Sequence, residues 1–158
     1  MKKIIFALAL SLAAVCATAQ DLSQLSKAAR AAYDFLKEDG YKPTVDEDND
    51  VIFKAQGISF YVDNYQNDDT YLRVVLTPIE EIDVNNKAQR DAALYACNFI
   101  TLKKKLIKAY MWEDGTIEFC TAAYIASSGE VSEMVSASIE YMIAAVTSWV
   151  EAFNEAIQ

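Results

Sequence analysis

The sequence predicts a single α+β domain: an N-terminal helix, an antiparallel four-strand meander, a helix, a β-hairpin and a long C-terminal helix. Three observations predict it. Apolar and polar residues alternate with period two between residues 51 and 77, as half-buried strands require. Three other stretches space their apolar residues by three and four, as helix faces do. Asp114-Gly115, a strong turn pair, separates two further apolar runs. The 158 residues are the length of one ordinary domain, and 53% hydrophobic residues with nine Tyr, seven Phe and two Trp can fill a core.

The N-terminus reads as a secretion signal. Met1-Lys2-Lys3 is a charged start, Ile4 to Val15 is an apolar run too short to span a bilayer, and Ala17-Thr18-Ala19 is an A-x-A cleavage site. Residues 1–19 are therefore expected to be cleaved after Ala19, leaving one domain over residues 20–158 in the periplasm or outside the cell. Cys16 raises a lipoprotein alternative, but Val15 stands where such signals want a small residue. Export permits a disulfide between Cys97 and Cys120. Their small apolar neighbours favour two reduced, buried thiols instead.

The first helix is expected over Leu22 to Asp39, with Leu22, Leu25, Ala29, Ala32 and Leu36 on one face and Gly40 ending it. Strand character follows in Tyr41 to Val45, Val51 to Ala55, Ile58 to Tyr65 and Tyr71 to Thr77. The turns between them are Asp46 to Asp50, Gln56-Gly57 and Asn67 to Asp69. The second helix, Lys87 to Lys103, follows a capping Asn85-Asn86. Its apolar set, which includes Tyr95, Phe99, Ile100 and Leu102, covers more than half the circumference, so it is overlaid on two sides or faces a partner. Lys105 to Trp112 and Thr116 to Ile125 form the hairpin. A two-residue turn there puts Trp112 opposite Ile117 and Tyr110 opposite Phe119. Ser127-Ser128-Gly129-Glu130 reads as a capping box opening a helix that runs close to Gln158, with Val131, Val135, Met142, Val146, Trp149 and Phe153 on its apolar face.

Charge and composition exclude several functions. Without Lys2 and Lys3 the chain holds twelve basic residues against twenty-three acidic ones, a net charge near −11 that repels nucleic acid and anionic lipid. No histidine is present, which removes the usual general base, the Ser-His-Asp and Cys-His pairs and the commonest metal ligand. Asp46-Glu47-Asp48-Asn49-Asp50 imitates the start of a calcium loop, but Val51 and Gly57 stand where that loop needs Gly and Glu. Asp68-Asp69 and Glu80-Glu81 are paired carboxylates at turns, with no cleft signature to set them across a substrate. No catalytic residue, cofactor or metal is expected.

Two surface features could bind a partner. Lys103, Lys104, Lys105 and Lys108 form the only basic cluster, either a solvated helix end or a dock for an acidic partner or subunit. Tyr61, Tyr65 and Tyr71 fall opposite the aliphatic strand positions, either as ordinary strand residues or as an aromatic platform.

The order of elements resembles the YbjN family, whose fold is that of the type III secretion chaperones. The residues carrying it are Gly40-Tyr41-Lys42-Pro43, the acidic turn before Val51-Ile52-Phe53, Asp69-Thr70-Tyr71-Leu72, the helix centred on Asn98, and Glu113-Asp114-Gly115. The resemblance spans the mature chain and implies a domain that acts by binding protein, without catalytic residues, and that pairs near its second helix. Secretion chaperones work in the cytoplasm, whereas this chain carries an export signal. The expected function is an exported, non-enzymatic protein-interaction module, chaperone-like or regulatory, with a homodimer through Tyr95 and Phe99 as one expected assembly. The alternative is an envelope protein binding a small molecule or peptide on the tyrosine-bearing sheet face.

Overall fold

The computed structural model describes residues 21–76 and 80–158. The expected signal segment with Cys16, and Thr77 at the end of the expected fourth strand, lie outside the described residues.

Helix α1 spans Lys27–Glu38, starting where the Ser26 hydroxyl accepts the Ala29 N–H at 3.1 Å. It does not begin at Leu22 as expected. The Leu25 N–H reaches back to the Leu22 carbonyl, and Asp21 accepts the Ser23 N–H, so these residues form a turn. Leu22 and Leu25 nevertheless pack against the core; their spacing reported burial and not helix. Gly40, at φ +88°, carries the chain out of α1.

Six strands form one antiparallel sheet in the order β1-β2-β3-β4-β6-β5. They are β1 (Thr44–Val45), β2 (Val51–Ala55), β3 (Ile58–Asp63), β4 (Tyr71–Leu76), β5 (Lys108–Met111) and β6 (Ile117–Tyr124). The first four make the expected meander. Strand β1 is shorter than predicted, beginning just after the buried Pro43, which has no N–H to give a ladder. Strand β3 stops before Tyr65, because Asn64 leaves the ladder into a 3-10 turn in which Gln66 and Asn67 adopt left-handed φ of 50° and 55°.

The hairpin exists, but its register differs by one residue from the expected one. Tyr110 pairs with Glu118 and Met111 with Ile117. The Trp112 N–H donates to the Thr116 carbonyl, enclosing Glu113-Asp114-Gly115 as a three-residue loop with Gly115 at φ +96°. A left-handed third residue is what such loops use in place of the two-residue turn. One residue of slip exchanges the faces. Ala109 and Met111 therefore join Ile117 and Phe119 on the core side, while Tyr110 shares the other face with Glu118.

Helix α2 covers Lys87–Lys103, as its pattern predicts, with Asn86 accepting the Ala88 and Gln89 N–H groups. It packs on α3 and β5 through Ala92, Ala93, Ala96, Cys97 and Ile100. Helix α3, Ser128–Ala156, has 29 residues and runs about 44 Å at 1.5 Å per residue. The expected capping box is altered: Ser127 makes no side-chain cap bond, and Glu130 accepts the N–H of Ala126 at 2.8 Å. One core joins all three helices to Val51, Phe53, Phe60, Val62, Leu72, Val74, Leu76, Ile117 and Phe119, which share one sheet face. Two polar contacts fix α3 there. Thr121 and Ser138 share a hydrogen bond of 2.7 Å, and the Trp149 indole N–H donates to Cys97 Sγ at 3.4 Å.

Cys97 and Cys120 are free and buried. Cys97 belongs to the helical core, whereas Cys120 pairs with Val75 on the other side of the sheet. Burial pushes the Cys97 thiol pKa up, despite the Trp149 bond. Among the described residues, no helix is long and apolar enough to cross a membrane.

Candidate functional site

With the three helices on one side, the second sheet face is built from the alternate residues of each strand. Register brings Tyr61 against Val75, Asp63 against Arg73, Tyr71 against Tyr124, and Tyr110 against Glu118. The pattern of the meander predicts the tyrosines on this face. It does not predict what β6 and β5 add, because β4 meets β6 only across a long connection.

Arg73 is the centre. Its Nη1 donates to Asp63 Oδ2 at 2.6 Å and its Nη2 to the Tyr110 hydroxyl at 2.5 Å. The Tyr110 hydroxyl then donates to Glu118 Oε2 at 2.7 Å, which lies 4.0 Å from the guanidinium. These side chains are mostly covered, so the pairing is worth more than a surface ion pair. Burial is the largest single influence and opposes the Arg73 charge, but the Asp63 bond together with the interactions of Cys120 and Tyr110 outweighs it and the pKa is raised. Burial first, then the Glu118 bond, raises that of Tyr110. Tyr61 is pushed up to about 12, chiefly by burial and then by Glu118. All three groups therefore keep their neutral-pH protonation, and the two carboxylates are engaged by one cation and one phenol. That is a positioning network and not an acid–base pair.

Aromatic rings flank it. Tyr65, in the 3-10 turn, lies 5.4 Å from Tyr71, which lies 5.5 Å from Tyr124. On the far side Tyr110 and Trp112 meet edge-on at 5.5 Å. Tyr124 is 77% exposed and Trp112 50%. Large rings with a polar tip, standing around a satisfied charge network, suit a surface that trades water for a partner.

The other residues singled out from sequence lie elsewhere. Lys108 sits on this face at the edge strand, paired with Cys120. Lys103, Lys104 and Lys105 lie apart from it, lining a groove at the end of α2. Tyr95 and Phe99 stack at 6.5 Å on α2; Tyr95 is exposed, whereas Phe99 packs against the core. Asp46 accepts the N–H groups of Asp48 and Asp50, so the acidic run is a self-capped turn. Asp68 accepts from Thr70 while Asp69 pairs with Lys27, and neither points at the other's partner. Glu80 and Glu81 are exposed beside Thr116 and Ile117. Among the described residues no group of three or more His, Cys, Asp or Glu could hold a metal ion. Sequence reasoning missed Arg73, Asp63, Glu118, Tyr110, Trp112 and Tyr124 as a unit. The available signal was an arginine at an alternating strand position among aromatics.

No protein-family model and no curated protein matches the chain. Among solved structures it is similar to the Yersinia pestis type III secretion chaperone SycH, crystallised with a stable fragment of YscM2. The two are 13% identical with a TM-score of 0.46, over 76% of this chain and 98% of that one.

Proposed function

We propose that this protein is an exported, non-enzymatic, YbjN-like interaction module that engages a protein partner through the open face of its sheet. The observation supporting this is that face itself: an aromatic-flanked surface around Arg73 that none of the three helices covers. A broad sheet surface suits a protein partner, whereas small molecules are held in concave, mostly apolar pockets. The reading includes pairing of two copies along α2, where Tyr95 and Leu102 lie exposed on one stripe.

The test places a photo-crosslinking amino acid at Tyr124 in the producing cell, with a second at the exposed Lys37 of α1, on the helical side, as a control away from the face. We expect a discrete protein adduct from Tyr124, absent from Lys37 and lost when Trp112 is changed to Ala. Mass spectrometry of the recovered protein should show Gln20 as its first residue. A uniform adduct pattern at both positions, or recovery only as a full-length unprocessed chain, overturns the reading.

A further inference from the structure

A second surface lies on the helical side, between α3 and the loop joining α2 to β5. Met134, Ala137, Tyr141 and Ala144 repeat at intervals of three, four and three along α3, so they form one stripe. Two recesses open on that stripe. One, of about 450 Å³, has Tyr141 and Ala144 on one wall and Lys103 to Ile107 on the other. The second, of about 140 Å³, is bounded by Met134, Ala137 and the end of β6. Leu106 lines both, so the two recesses adjoin at its side chain and are taken together as one groove. It is 59% exposed and Tyr141 47%, although both are large and apolar.

Charge marks one end of this groove. Lys103, Lys104 and Lys105 stand on its rim in a chain with 23 acidic and 14 basic residues. Among the described residues, the ion pairs use Lys27, Arg30, Arg73, Lys87 and Arg90, and none of these three lysines. Three adjacent cations without an acidic partner, next to exposed apolar side chains, form a surface whose complement is apolar at one end and acidic at the other.

We infer that this groove binds an acidic amphipathic segment of a protein partner, its apolar side chains against Leu106 and Tyr141 and its carboxylates on Lys103 to Lys105. The stripe from Met134 to Ala144 rises about 15 Å, which matches about five extended residues. A peptide fits better than an anionic membrane. Glu133 and Glu140 are exposed on the same helix, and a bilayer pressed onto the lysines would meet them too. This surface is distinct from the aromatic sheet face, so either can fail without the other.

The experiment uses fluorescein-labelled peptides of two or three Leu, Ile, Phe or Met followed by three Glu. Each is matched by a version with Lys for Glu, and anisotropy is read on the purified protein. At least one acidic peptide should bind about tenfold more tightly than its basic counterpart, with affinity falling as salt rises. Reversing Lys103→Glu, Lys104→Glu and Lys105→Glu together should weaken it about tenfold, and Leu106→Asp similarly. These residues are surface-placed, and an unchanged circular-dichroism melt would show that both variants fold. Trp112→Ala should leave binding unchanged. The inference is overturned if no acidic peptide is preferred, or if the lysine reversal has no effect on binding. It is also overturned if anionic-lipid vesicles bind at the lysines in place of the peptides. The same holds if the reversal instead changes the mass by light scattering, which would make the occupant a second copy.

Discussion

Asp50 shows how one side chain can hold two parts of the fold together at a cost in charge. Its carboxylate accepts the Asn64 N–H at 2.8 Å, and Asn64 in turn accepts the Ser26 N–H and donates to the Gln24 carbonyl. The acidic turn is thereby tied to the entrance of α1. Half-burial, with Asp63, Asp46 and Asp48 nearby, outweighs the Asn64 bond and raises the Asp50 pKa from 3.8 to about 6. Between those values the folded chain binds more protons than the unfolded one. The stability this group contributes is therefore full below pH 3.8 and lost as pH rises through about 6. Asp50→Asn keeps the acceptor oxygen and removes the charge. It should stabilise the protein by about 1 kcal/mol at pH 7 after allowing for solvent screening, with the gain vanishing near pH 4. Urea melts of both chains across that range measure it; a gain that persists at low pH would mean that the charge is not the cause. This tie was not legible in the sequence, since Asp50 and Asn64 lie far apart along the chain. The alternation placing Tyr61 and Tyr71 on one face was legible, because a strand's period is local. What Arg73 touches depends on which strand lies beside β4.

At the scale of elements, the hairpin carries the largest consequence. Asp114-Gly115 located the turn correctly, and the loop length decided which residues face the core. Gly115 is held at φ +96°, and its N–H donates to the Trp112 carbonyl at 3.0 Å. A Cβ there would collide with the carbonyl of Ile82, whose own N–H is bonded to the Gly115 carbonyl. Gly115→Ala meets both the left-handed strain and that backbone contact, and should cost about 2–4 kcal/mol. A thermal melt would read this loss, and a change within about 0.5 kcal/mol would show that the loop relaxes freely. Elements with local signals, β2 and α2, begin and end where their patterns say. Helix α1 does not, because Leu22 and Leu25 reach the core from a turn that keeps helical spacing. The one-residue difference between the expected and observed hairpins turns Tyr110 to the face of Arg73 and sets it opposite Glu118, whereas the approach of Glu118 to Arg73 follows from the pairing of β4 with β6.

At the scale of the whole molecule, the apolar surface left over after folding decides what the chain does next. The α2 pattern has a wider apolar arc than one contact needs, and the structure divides it. Ala93, Ala96, Cys97 and Ile100 are consumed by α3 and the sheet, while Tyr95 and Leu102 remain outside, Leu102 at 73% exposure. They are seven residues apart and so share a stripe. Soluble monomers keep such patches small, and a two-fold contact of one helix with its copy is the simplest cover. The stripe is modest, so pairing should be weak, in the micromolar range. Light scattering across a dilution series should pass from dimer to monomer mass. Tyr95→Asp with Leu102→Asp should abolish the dimer while leaving the melt nearly unchanged, because both side chains are already in water in the monomer. Phe99→Asp serves as the contrast: Phe99 packs against the core, so its replacement should lower the melting temperature as well. A constant monomer mass up to about 100 μM, well above the weak-dimer range, would show that this stripe is uncovered in solution. It would then be available, like the aromatic sheet face, to a different chain.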